Sequence, residues 1–238
     1  ILFLFHWKYI IAFFILFSLV TTSFLMMNIE ETLKEPQKIN FVNILKNFKE
    51  VLKNLNSMIY IVCLGLLLGG LLTFINICQP LYLHYFDIGS KFPLFFALIA
   101  SMLGLSSYLN SKYVWQFGAG KIALSFSLLL MIWTLITLAF QLNYFSLNLV
   151  WFSIFIMISF SFFGFIFGNL NALAINPFGH IAGYASSIIG SLSTLIALIV
   201  SGTSTTFFDG SPDIVIFTLS TCSILTFLLL FFLRASRS

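Results

Sequence analysis

With 238 residues, 60% hydrophobic and only 8% charged, and a mean hydropathy of +1.08, the chain cannot cover a soluble core with polar surface. It is expected to be an integral membrane protein, all α-helical. The net charge of +4 is accounted for by membrane topology, which excludes nucleic acid as an expected partner. Thirty-one phenylalanines inflate hydropathy whatever the function, so charge placement carries more weight than apolarity.

In chain order, residues 1–5 read as the tail of an interrupted helix, and the chain as a fragment. Residues 9–29 are uncharged over 21 positions, the length a bilayer core of about 30 Å requires. Residues 34–57 then gather Lys34, Lys38, Lys46, Lys49 and Lys53 around Pro36. Within them Phe41, Ile44, Leu45, Phe48, Val51, Leu52 and Leu55 recur at helical spacing, which predicts a short amphipathic helix. It would either lie on the membrane surface or serve as a solvated linker between two halves.

Residues 54–86 are uncharged again, with a span expected over about 58–83 and a close-packing face at Gly65, Gly69 and Gly70. Asn76 and Gln79, three apart, share a helix face. Such amides are costly in lipid, so they either face a wet cavity or hydrogen-bond between helices. A polar turn at residues 87–91 leads to a span over 92–111, followed by Lys112, Gly118 and Lys121. From Ile122 to Phe208 there is no formal charge over 87 residues, too long for two spans and right for three. Breaks at 141–144 and at Asn176-Pro177 give helices near 122–140, 147–175 and 181–206. Asp209-Gly210-Ser211-Pro212-Asp213 is a turn before a last span at about 214–233. Placing 34–57 in the cytoplasm puts nine cations inside (Lys34, Lys38, Lys46, Lys49, Lys53, Lys112, Lys121, Arg234, Arg237) and only Lys8 and Lys91 outside. Seven spans with a cytoplasmic C-terminus agree with the positive-inside rule.

The stretch from Gly164 to Gly202 is apolar enough for lipid yet carries Gly164, Gly168, Gly179, Gly183 and Gly190 beside Ser191 and Thr194, with Asn169 and Asn171 near its start. Ala172-Leu173-Ala174, Pro177-Phe178-Gly179-His180-Ile181-Ala182-Gly183 and Ala185-Ser186-Ser187-Ile188-Ile189-Gly190-Ser191 resemble the junction of the tenth and eleventh helices in the major facilitator superfamily. The resemblance is to the Bcr/CflA drug-resistance type. His6-Trp7-Lys8-Tyr9 is similar to the junction before the sixth helix, and Glu31-Thr32-Leu33 to the segment after it. Residues 110–121 resemble the second copy of the superfamily's basic loop, with Gln116 where a basic residue is usual.

The resemblance implies helices six to twelve of a twelve-helix transporter. Residues 1–33 would end the N-terminal half, 34–57 would be the cytoplasmic linker, and 58–238 the C-terminal six-helix half. It further implies drug/proton antiport across the cell membrane, with a small amphiphilic solute, protons and the absent N-terminal half as partners. Asn76, Gln79, Asn169, Asn171, Ser191 and Thr194 are cavity candidates; Gly164, Gly168, Pro177, Gly179, Gly183, Gly190, Lys112, Gly118 and Lys121 are packing and gating candidates. No cofactor, metal or catalytic residue is expected. Cys63, Cys78 and Cys222 form no CxxC pair, His84 and His180 stand beside turns, and no nucleophile has a His and an acid at credible positions. A metabolite or sugar transporter of the same superfamily, or a non-transporting membrane scaffold, remains an alternative; an intramembrane enzyme is disfavoured.

Overall fold

The structure is a computed structural model that describes residues 7–28, 41–143 and 147–235. The expectations resting on residues 1–6, 29–40 and 236–238, including His6, the Glu31-Thr32-Leu33 triplet, Lys34, Lys38 and Arg237, lie outside the described residues. The chain divides into two compact units, residues 1–40 and 41–238. The first contributes α1, Trp7–Asn28, predominantly apolar with Lys8 near its start and Thr21, Thr22, Ser23 and Asn28 toward its end. Its Thr21 and Asn28 side chains donate to the carbonyls of Phe17 (2.6 Å) and Phe24 (2.8 Å), so neither demands a partner from elsewhere.

The second unit is a helical bundle, with no strand among the described residues. Its order is α2 (Phe41–Lys53), α3 (Leu55–Pro80), α4 (Phe92–Phe117), α5 (Ala119–Asn143), α6 (Leu149–Ile175), α7 (Ala182–Thr206) and α8 (Asp213–Ala235). Among the described residues six continuous helical stretches are long and apolar enough to cross a membrane. One of them, 149–206, is 58 residues long, more than twice the roughly 20 residues a single crossing requires. It is broken where the sequence predicts: Asn176–Ile181 is a 3-10 turn, and Phe178 leaves helical geometry at φ −114°, ψ 32°.

The helices α3 and α6 form the centre. On α3, Gly65 and Gly69 let α7 come so close that a Cβ at Gly65 would sit 2.6 Å from Ile196 Cβ, and one at Gly69 2.7 Å from Val200 Cβ. Gly164 does the same for α4, where a Cβ would lie 2.7 Å from the Leu103 carbonyl oxygen and 2.9 Å from the Ser107 nitrogen. Backbone cannot yield to a methyl group, so these positions hold helices together by the absence of a side chain. Between the helices one end of the bundle is plugged by aromatic rings. Phe74 meets Phe160 at 5.4 Å and Phe152 at 6.4 Å between centroids, and Tyr82 joins Phe92, Phe95 and Phe152 at 5.9–6.0 Å.

After Pro80 the chain continues as one π-helical turn, Leu81–Tyr85, before Asp87 and Gly89 adopt positive φ and reverse it. At the far end of α7, Gly210 at φ 96° makes the turn into α8. The Ser211 hydroxyl and its N–H, the latter at 2.9 Å, hold the Asp209 carboxyl below its ordinary pKa. The sense in which the helices run places Lys46, Lys49, Lys53, Lys112, Lys121 and Arg234 at one end of this unit. Asp87, Lys91, Asp209 and Asp213 lie at the other.

The predicted amphipathic helix forms as α2, but it is neither free linker nor simply adsorbed. Val51 is fully buried and Asn47 nearly so. Glu50 Oε1 lies 2.9 Å from Nε2 of His180, in the turn between α6 and α7. Ile44, Leu45, Phe48 and Leu52 stay partly exposed, an apolar face that suits the membrane boundary.

Candidate functional site

The six cavity candidates do not converge on one pocket. Asn169 and Asn110 are buried at 3% and 8% exposure, and Asn169 donates to the Asn110 Oδ1 at 2.8 Å and to the Phe165 carbonyl at 2.7 Å. Asn169 is thereby used as a clamp between α6 and α4, the interhelical reading of an amide in lipid. Asn171, two residues on, points the other way and is exposed. A 100° step per residue on a helix makes that separation unavoidable.

The remaining four lie on α3 and α7. Asn76 is exposed and donates to Ser201 Oγ at 2.9 Å, tying the two helices, while Gln79 is exposed with no bond to any described residue. On α7, Ser186, Ser187, Gly190, Ser191 and Thr194 fall at helical spacing on one exposed face and line a shallow groove of about 550 Å³. Ser191 returns its hydroxyl to the Ser187 carbonyl at 2.8 Å, as an unshared hydroxyl in an apolar helix does. The helices α3 and α7 thus carry polar and small side chains outward, beside the buried apolar seam made by Gly65 and Gly69. Leu195 and Leu198 line the same groove, so this face mixes exposed hydroxyl and amide groups with exposed apolar side chains.

The packing candidates divide as well. Gly164 makes a close helix crossing, whereas Gly168, Gly179, Gly183 and Gly190 face open space in this chain. Pro177 starts the 3-10 turn. Gly118 adopts φ 80° and caps α4 with an N–H bond of 2.9 Å to the Val114 carbonyl, so the α4–α5 reversal needs a residue without Cβ. Lys112 rests 4.6 Å from the centre of the Tyr108 ring, and Lys121 borders a separate cavity at the basic end.

Sequence reasoning missed the hydroxyl bonds inside the bundle. Tyr82 and Ser153 meet at 3.2 Å, Thr134 and Ser223 at 2.7 Å, and Ser220 donates to the Thr134 carbonyl at 3.2 Å. The signal was present in α8, where Thr218, Ser220, Ser223 and Thr226 are all buried. At the opposite end from the basic cluster, the Gln141 amide donates to the Asp213 carboxylate. Among the described residues no cluster of three His, Cys, Asp or Glu could hold a metal, and Cys63, Cys78 and Cys222 are buried free thiols. The carboxylates of the second unit sit at helix ends or in turns, outside its apolar interior.

Comparison with known proteins adds one relative. The chain is 25% identical, over 241 aligned positions, to a protein of Haemophilus influenzae named bicyclomycin resistance protein homolog. The alignment covers 97% of this chain but 58% of that protein, so the chain spans little more than half the relative's length. No family model and no solved structure matches.

Proposed function

We propose that this chain is part of a secondary active transporter of the Bcr/CflA type in the major facilitator superfamily, and that the complete protein exports small amphiphilic compounds in exchange for protons. The observation that carries the reading is the outward-facing polar surface of α3 and α7, with Asn76, Gln79, Ser191 and Thr194 exposed on an otherwise lipid-compatible bundle. Aromatic side chains plug the bundle's own interior at one end, so a solute would pass along its surface, between it and a second bundle. The similarity to a resistance-protein homolog over nearly the whole chain supports the same class.

On this reading the 58-residue stretch crosses the membrane twice, making seven crossings with α1, and residues 34–57 join two halves on the cytoplasmic side. The basic end of the second unit then faces the cytoplasm. Rocking of one half against the other exchanges exposure of the α3–α7 surface between the two sides. The coupling carboxylate is assigned to the other half, since the carboxylates of residues 41–238 lie at helix ends and turns.

The test uses single cysteines at Gln79, Ser191 and Thr194 of the complete protein in native membranes, after replacing the three buried native cysteines. A membrane-impermeant maleimide is expected to label them, and an amphiphilic transported cation to slow labelling. A scaffold subunit would meet other helices there through bonds such as Asn76 to Ser201. Silent cysteines, with no solute efflux from energised vesicles, would overturn the transporter reading in favour of the scaffold.

A further inference from the structure

The helix α2 divides its apolar half between two surroundings. Asn54 alone separates it from α3; its extended backbone (φ −82°, ψ 95°) breaks the helix, and its side chain caps α3 through the Ser57 N–H at 3.1 Å. The chain therefore turns off the axis of α3 where that helix begins, and α2 packs against α3 and α7 instead of running on into water. A step of about 100° per residue places Asn47 and Val51 on one edge, and both are buried against the bundle. Ile44, Phe48, Leu52 and Leu45 occupy the next sector, roughly 100° wide. They stay 36–44% exposed. Lys49, Lys53 and Lys46 come next around the helix, all exposed. Glu50, the only carboxylate of α2, closes the circle beside Asn47, where it meets His180 at 2.9 Å.

An exposed apolar sector on a helix already docked to a membrane-spanning bundle is covered by lipid or by protein. Charge decides between them. Three lysines follow the sector on its free edge with no acid among them, and protein interfaces are poor in lysine. A lysine stem instead reaches readily from an apolar surface to a headgroup phosphate. We propose that α2 is an interfacial helix that binds the anionic phospholipid surface at the basic end of the bundle. Ile44, Leu45, Phe48 and Leu52 enter the acyl boundary, and Lys46, Lys49 and Lys53 take the phosphates. Val51 holds the helix to the bundle, so the headgroups select the lipid and do not create the docking. The proposal rests on the membrane-spanning reading and is independent of what is transported.

The experiment attaches a bimane fluorophore to Phe48→Cys in the complete protein, in a background without native cysteines. The protein is placed in nanodiscs of equimolar phosphatidylglycerol and phosphatidylcholine, with bromine on the chains of one lipid or the other. Ile132→Cys, 44% exposed in the middle of α5, is the reference position. Both probes are expected to be quenched by brominated lipid, the one at 132 equally by either. The probe at 48 should favour phosphatidylglycerol by at least about fivefold in relative association, the effect of one lysine near an anionic surface. K46Q, K49Q and K53Q together should abolish that preference while leaving quenching by both lipids, and the corresponding three arginine substitutions should keep it. Quenching at 48 by aqueous iodide but not by lipid would overturn the proposal in favour of a solvated linker. Quenching there by neither would overturn it in favour of a protein partner such as the other half. Equal quenching at 48 by the two lipids would overturn it as well. An unquenched probe at 132 would remove the spanning bundle, and the proposal with it.

Discussion

At the scale of single residues, the bundle depends on missing side chains and on one amide pair. Gly164 faces the backbone of α4, with the Leu103 carbonyl and the Ser107 nitrogen both inside the reach of a methyl group. Gly164→Ala must therefore separate two main chains, an overpacking cost of about 1–3 kcal/mol. The expected result is a lower thermal midpoint in detergent, whereas Gly168→Ala, with open space around it, should leave the midpoint unchanged. The Asn169–Asn110 bond invites a double-mutant cycle. Between membrane helices such bonds average about 0.6 kcal/mol and reach about 1.7. Both amides here are buried, so a coupling of about 1 kcal/mol is expected from reversible unfolding of N169A, N110A and the double variant. A coupling near zero would return Asn169 to the list of groups free to meet a solute. These two cases also mark what one residue's type can tell. An asparagine in a lipid-spanning helix announces that it needs a partner. Whether the partner is another helix or a wet path depends on the facing residue, 59 positions earlier in the chain.

At the scale of elements, α2 forms as its apolar spacing predicts, and its placement is what spacing alone could not supply. A helix with one apolar face would satisfy that face equally on lipid or on protein. Val51 and the Glu50–His180 contact set α2 against the α6–α7 turn. The helix α2 is thereby joined to the turn at Pro177, where the 58-residue stretch changes direction. Glu50 and His180 are substantially exposed, so the pair itself is worth only about 0–1 kcal/mol, and burial of Val51 carries more. Glu50→Gln is accordingly expected to leave hydrogen exchange in α2 within about fivefold of the parent, while Val51→Asp accelerates it to that of a free helix. Equal protection in both variants would mean that lipid, not the bundle, holds α2 in place.

At the scale of the whole molecule, the positions of the long apolar helices and the break at Asn176-Pro177 could be read from charge and proline placement, because a bilayer sets a narrow range of lengths for a crossing. The grouping of the polar candidates could not. Asn169 and Asn171 fall on opposite sides of α6, and Ser191 and Thr194 share a face with Ser187 rather than with either of them. Which faces are exposed depends on how α3 and α7 pack through Gly65 and Gly69, a matter of three-dimensional register. Charge, by contrast, makes a global commitment that can be checked. Among the described residues of the second unit, six cations at one end and one at the other require that Lys46 and Lys121 lie on the same side of the membrane. Between them run two long helices, α3 and α4, an even number of crossings. Impermeant amine or thiol reagents applied to sealed vesicles of one orientation should therefore label positions 46 and 121 together. A cysteine in place of Ser211 should be labelled only from the opposite face, because one more long helix separates it from the basic end. Moving Lys46 alone to the other side would force α3 or α4 to stop short, leaving an apolar helix of 26 residues unburied in water. Labelling of 46 and 121 from opposite faces would thus remove a crossing, and with it the proposed transporter half.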